Sequence, residues 1–382
     1  MTLRSLLLLS LLAISARPLE AQSTPESASL LGDSTAATAD IEAFARLLES
    51  EIGAGRAEIF AERFDGDTFL DRANEGRQIG AMLMGELRRQ FRQNPDFLDE
   101  IVNDLRSGGH YRFLRVVERD GALRARFRLL SSNGGINYHD LLLSPDATGE
   151  GQIVDLYVFL TAEDLSSTIG RLMDVLAAEE AYSPRTEAYT TFIDHYNAGQ
   201  FREAWGAYPD EYIDAENKKA MMLMRVMIGM NVGDREYYQA LQAFADAFPG
   251  DPSLSLLQID VHHNSGDFEA LLETVNRLEE SVGEDPYLNM YRGIAHDELD
   301  APKVALQHVR EALSFEPKVL LPNAFEFELL VELERFEEAA DALRRISDMG
   351  IELNPYYIES EASNQAFVQS KAYQAWLNKR GS

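Results

Sequence analysis

Between Ser253 and Leu353 the chain repeats every thirty-four residues, and no other feature restricts its fold as much. Leu271, Ala305 and Ala339 occupy one column of the repeat. Val275, Val309 and Leu343 lie four residues on, and Leu278, Ala312 and Ile346 three beyond that. Steps of four and three return to one face of a helix, so each repeat carries an apolar stripe with small residues where a neighbour must come close. Gly283, Pro317 and Ile351 share a column five residues further on, and Phe268 and Phe336 share one upstream. A repeat of this length holds two short helices and cannot bury its apolar face alone, so it gains stability by stacking. Residues 183–382 are therefore predicted to form an all-α solenoid.

This period, with small, large and small residues at helical spacing, resembles the tetratricopeptide repeat. The resemblance extends upstream. Tyr196–Asn–Ala–Gly–Gln–Phe–Arg–Glu–Ala204 is similar to the turn of that repeat, one residue out of register with the later repeats. Lys218 to Pro249 reads as a degenerate pair with a methionine-rich first helix, its second helix carrying Leu241, Phe244 and Pro249. After Asn354–Pro355, Tyr357 to Lys379 predicts a last helix that caps the open end of the stack. The resemblance implies a protein-binding module whose concave face is lined by the first helix of each pair. By that pattern the lining comprises Tyr189, Tyr196, Met222, Val226, Met230, Leu256, Asp260, His263, Met290, Asp297, Glu298, Glu328 and Glu332. Methionine and tyrosine offer adaptable apolar contacts, and the carboxylates add negative charge toward the last repeats. A basic or amphipathic peptide is the expected partner. The lysines with which one version of the family clamps a C-terminal carboxylate are absent. Met222, Met230 and Leu256 read equally well as core between repeats.

Upstream of the repeats the pattern changes. Asp40 to Phe64 has helical periodicity with Asp40 as its cap, and Gly53–Ala–Gly55 marks a kink. The Phe64–Asp–Gly–Asp–Thr–Phe–Leu stretch reads as a turn. Ile79 to Phe91 predicts a second helix ended by Asn94–Pro95, and Asp96 begins a third that stops at Gly108–Gly109. From Tyr111 the period becomes two. Strands are predicted over Tyr111–Arg119, Leu123–Ser131, Ile136–Leu143 and Gln152–Leu160, joined by turns at Asp120–Gly121, Asn133–Gly134–Gly135 and Pro145–Gly151. Ala125, Phe127 and Leu129 share a face opposite Arg124, Arg126 and Arg128. Val154, Leu156, Val158 and Leu160 share one opposite Asp155, Tyr157 and Phe159. A helix over Ala162–Ala181, capped by Thr161 with Asp164, leaves the sheet. Residues 39–182 are thus an α+β domain with a four-stranded antiparallel meander. Its element order resembles the cone-shaped folds of the nuclear transport factor 2 and SnoaL group, and it is also compatible with other α+β sandwiches. The phrases at 109–116, 134–143 and 153–160 are similar to the N-terminal module of uncharacterised exported bacterial proteins that carry helical repeats, which implies no activity.

Residues 1–21 read as a secretory signal peptide: Arg4, then the apolar run Leu6 to Ile14, then Leu19–Glu20–Ala21 before Gln22. Residues 22–38 read as a disordered linker. The chain has no cysteine, so disulfides, thiol chemistry and a lipid-anchor cysteine are excluded. A net charge of −29 disfavours nucleic acid and anionic lipid as partners. Every basic residue before Lys218 is arginine, and nothing mechanistic attaches to that.

Two constellations hint at chemistry. His195, His262 and His296 fall in one column once the slip is allowed for, and stacking could gather them around a metal. The same column packs between helices in the repeat family, so no metal is expected. His139 and Asp155 could face each other on neighbouring strands as a general-base pair, or lie on a polar outer face. Phosphate loops, nucleophile elbows and aromatic–basic stripes are absent, so no cofactor is expected. The reading is an exported, non-enzymatic scaffold or adaptor that binds a polypeptide. The alternatives are a ligand-binding or enzymatic N-terminal domain with the repeats as a recruiting arm, and a structural part of the cell envelope.

Overall fold

The computed structural model describes residues 34–77, 79–93, 96–131, 135–145, 150–177, 184–213, 215 and 218–380. The leader, most of the linker, Asn94–Pro95, Asn133–Gly134 and most of the Pro145–Gly151 turn lie outside them. The chain divides into two compact units, 1–256 and 257–382.

The first unit opens with α1 (Ser34–Gly53), which begins inside the stretch read as linker and continues through Asp40, so Asp40 does not cap it. Phe44, Ala45, Leu48 and Ile52 form its buried stripe. The helix predicted to Phe64 stops early because Gly55 adopts φ +89°, and only the single turn α2 (Ile59–Glu62) comes after it. The stretch read as a turn is instead a third helix, α3 (Gly66–Ala73). Asp65 caps it, accepting the N–H groups of Asp67 and Thr68 at 3.1 and 3.2 Å. Helices α4 (Ala81–Gln93) and α5 (Asp96–Arg106) complete the set.

The sheet runs in sequence order through β1 (His110–Arg119), β2 (Ala122–Leu130), β3 (Ile136–Pro145), β4 (Gly151–Val158) and β5 (Glu163–Asp164), every neighbour antiparallel. Asp120 at φ 52° and Gly121 at φ 74° make the two-residue hairpin that their sequence predicts. The fifth strand is new. Ala162 at φ 52° turns the chain so that Asp164 pairs with Tyr157. Thr161 and Asp164 therefore do not cap a helix, and α6 (Leu165–Ala177) starts three residues later than expected. A bulge at Leu142/Leu143 sets Leu143 opposite Ile153 and Leu141 opposite Leu156. Ile153 and Leu156 thereby join the core, and Val154 leaves the face assigned to it.

That core fills one side of the sheet with Phe60, Tyr111, Phe127 and Leu141 beneath α1, α2 and α5. A second cluster joins α3, α4 and α6 through Phe69, Met84, Phe91 and Met173. The helical part of the first unit comprises α7 (Pro184–Asn197), α8 (Phe201–Gly206), α9 (Lys218–Val232) and α10 (Asp234–Ala247). Gly229 lets α9 approach α10: a Cβ there would stand 2.8 Å from the Cα of Tyr237. Helix α11 (Pro252–Ser265) carries the boundary between the units.

The second unit continues with α12 (Phe268–Val282), α13 (Leu288–Glu298), α14 (Pro302–Phe315), α15 (Leu320–Glu332) and α16 (Phe336–Asp348). All nine residues of the three inner columns, from Leu271 to Ile346, are buried. The period is also written in the backbone. The turns between paired helices carry positive φ at Gly199, Gly233, Gly266, Asp300 and Glu334, in steps of 34, 33, 34 and 34 residues. The one-residue slip thus falls between Gly233 and Gly266. The predicted last helix is broken into α17 (Pro355–Ser360), α18 (Gln365–Val368) and α19 (Lys371–Arg380). Phe367, Tyr373 and Trp376 are buried there, and Phe367 meets Phe327 edge-on at 5.4 Å, covering the end of the stack.

Candidate functional site

The predicted lining separates by burial. In the first unit Val226, Leu256 and Tyr189 are buried; the Tyr189 hydroxyl donates to the Tyr212 carbonyl at 3.3 Å. Tyr196 is half-buried and edge-on to Phe201, Met222 is half-buried, and Met230 is exposed. In the second unit Met290 is buried. Val226, Leu256, Met290 and Tyr189 hold helices together and offer no surface to a partner. Sequence periodicity does not separate them from exposed positions, because a first helix in a stack is covered on two sides.

The acids behave differently. Asp260, His263, Glu298, Glu328 and Glu332 are exposed and Asp297 half-exposed. Asp297, Glu298, Glu328 and Glu332 come from α13 and α15 and stand close enough to act on one another. Burial, then the charges of Glu332, Glu298 and Glu328, raise the Asp297 carboxyl from 3.8 to about 6, and a hydrogen bond with Glu332 adds to this. Partial desolvation and then Glu361, which sequence reasoning missed, raise Glu328. Asp260, distant in sequence, is also raised, by desolvation, with His263 opposing. Along α15 the positions Leu321, Phe325, Glu328 and Glu332 are spaced by four, three and four residues, which puts an exposed Leu321 on the stripe that bears the acids. That spacing was available in the sequence.

Helix α14 presents Lys303 and Arg310 instead. Arg310 of α14 donates from Nε to Glu326 at 2.8 Å and from Nη2 to Glu338 at 2.7 Å. Arg335, at the head of α16, also grips Glu338, Nε to Oε1 and Nη2 to Oε2, both at 2.7 Å. Beside them lies a cavity of about 420 Å³ lined by Lys303, Leu306, Gln307, Arg310, Glu311, Ser314 and Arg335.

Neither constellation of candidate chemistry assembles. His139 pairs with Val158 and points into the core, where its Nδ1 lies 3.1 Å from the Tyr111 hydroxyl. Asp155 pairs with Leu142 and faces the other side of the sheet, bound by Ser166 and by Arg72 Nε at 2.9 Å. No His–Asp pair forms. The face expected to be a solvated row is largely buried: Arg124, Arg126, Arg128, Asp140 and Asp155 are all inaccessible. His195 lies 2.7 Å from Gln200, and His296 stacks on His308 of the next helix with ring centres 5.2 Å apart. Among the described residues, no three His, Asp or Glu side chains form a group that could hold a metal ion, and no helix is long and apolar enough to cross a membrane. No protein-family model, curated protein or solved structure matches the chain.

Proposed function

We propose that the helical pairs are tetratricopeptide-like and that the protein is an exported scaffold or adaptor binding a basic or amphipathic polypeptide on its first-helix face. The α+β part is cone-like in element order, and its helix-covered side is filled by Phe60, Tyr111 and Phe127. The observation that supports this reading is the gathering of Asp297, Glu298, Glu328 and Glu332 on an accessible surface, where burial and then the charges of the other three raise Asp297. Like charges held together cost stability, and a cationic partner relieves that cost. Leu321 on the same stripe supplies an apolar contact for such a segment. The test is fluorescence anisotropy with a labelled amphipathic peptide bearing lysines on one face. Binding should weaken as salt rises, because exposed pairs are screened over about 8 Å at physiological ionic strength. Glu328→Lys/Glu332→Lys should weaken it at least about tenfold, mainly through slower association. Equal affinity at low and high salt, or in the reversed variant, sinks the proposal.

A further inference from the structure

We infer that the cavity between α14 and the head of α16 is a second binding site, independent of the acidic face, and that it takes a carboxylate-bearing ligand. Three basic side chains meet there on a chain whose net charge is −29, and Glu326 and Glu338 already pair with the two arginines. Lys303, Arg310 and Arg335 line it, against Glu311 alone among acids. Glu311 accepts a hydrogen bond from Gln307 Nε2 at 3.2 Å.

The two guanidiniums converge. Arg310 Nη2 and Arg335 Nη2 both reach Oε2 of Glu338 at 2.7 Å, so one carboxylate already sits in a fork of two arginines. That carboxylate shows which chemistry the fork accepts: its acidity is increased first by the hydrogen bond from Arg335, then by that from Arg310. The fork is not used up. A guanidinium carries five N–H donors. Arg335 commits Nε and Nη2 to Glu338, and Arg310 commits Nε to Glu326 and Nη2 to Glu338, which leaves Nη1 of each for a second anion. Lys303, on the same wall, forms no ion pair among the described residues. Gln307 keeps one amide N–H beyond the one it gives Glu311, and the buried Leu306 gives an apolar floor. A ligand with two or more carboxylates meets both arginines and the lysine at once; a monovalent anion meets them one at a time.

The carboxylates could belong to a small polycarboxylic acid or to an acidic stretch of polypeptide, and two titrations distinguish them. The intact protein is titrated calorimetrically with citrate and, separately, with a glutamate-rich hexapeptide blocked at both ends, at about 0.15 M salt so that repulsion from the distant acids is screened. Binding of either probe, weakened at least tenfold by Lys303→Glu and unchanged by Glu328→Lys/Glu332→Lys, supports the site, and the probe that binds names its source. Lys303 is exposed and makes no ion pair among the described residues, so its replacement leaves the fold intact, which an unchanged melting temperature verifies. Arg335→Gln serves as a second variant and should also weaken binding. No heat with either probe, or binding indifferent to both Lys303→Glu and Arg335→Gln, overturns the inference. Tighter binding in the Glu328/Glu332 variant, with none of the expected loss in Lys303→Glu or Arg335→Gln, would move the ligand to the first-helix face and overturn it equally.

Discussion

Arg126 holds Asp140 through two nitrogens, Nε to Oδ1 at 2.6 Å and Nη2 to Oδ2 at 2.7 Å, with both side chains buried in the sheet. Arg119 adds a third bond at 3.0 Å and lays its guanidinium 3.6 Å from the ring centre of Tyr157. Removing one partner of a buried pair strands the other charge, which costs about 3–5 kcal/mol. Asp140→Ala should therefore lower the unfolding free energy of the first unit by that amount in urea titrations. Replacing both residues, as Arg126→Met/Asp140→Leu, should cost much less. Equal losses in the single and double variants would contradict the pairing.

His139 makes the first unit sensitive to acid. Burial lowers its pKa from 6.5 to about 4, with the charge of Asp140 opposing. The folded value lies below the unfolded one, so the neutral ring is favoured by folding. Its contribution is complete above about pH 6.5 and is lost as pH falls toward 4. At 1.36 kcal/mol per pH unit this reaches about 3 kcal/mol. His139→Gln should be less stable than the parent at pH 7 and should flatten the dependence between pH 7 and 4. A variant whose stability tracks the parent in parallel over that range would show that His139 does not titrate as its burial requires.

How much of this was legible depends on which residues speak locally. Asp120–Gly121 announces its hairpin because two successive positive φ angles need such residues. The inner columns of the repeat are legible because their burial recurs at a fixed period. The bulge at Leu142/Leu143 is not: nothing local marks it, and it exchanges the faces of Ile153 and Val154. Asp65 misleads because Asp–Gly–Asp–Thr caps a helix with the same atoms that make a turn. The acidic face could be read from stacking alone. The cleft at Lys303, Arg310 and Arg335 could not, since its members occupy different columns and meet through a helix end.

Ala305 sits at the closest approach of two helices in the second unit. It is fully buried, and a Cβ on Gly293 would lie 3.4 Å from its carbonyl oxygen and 2.8 Å from Val309. Ala305→Glu places a charge there with no room and no partner, at a cost of about 4 kcal/mol or more. The helical circular-dichroism signal should lose a cooperative step or melt far earlier. A melt within a degree or two of the parent would mean that this column does not lie between helices.

Asp297 tests the acidic face without a ligand. Its folded pKa, about 6, lies above the 3.8 of an ordinary aspartate, through burial and then Glu332, Glu298 and Glu328. The fold therefore holds the proton more tightly than the unfolded chain does. That contribution is fully present below about pH 3.8 and is lost as pH rises through 6, after which the ionised group opposes folding. Asp297→Asn keeps the shape and removes the charge. Because the site is partly exposed, solvent screening reduces the effect, and a rise in melting temperature of about 1–2 °C at pH 8 is expected. At pH 4, where the parent is protonated, the two proteins should melt together. Glu332→Gln added to Asp297→Asn should give less than the sum of the single effects, because the repulsion it removes is already gone. An Asp297→Asn protein that is less stable than the parent at pH 8 would show that Asp297 is held by a favourable contact, and the acidic face would lose the repulsion from which its partner is inferred.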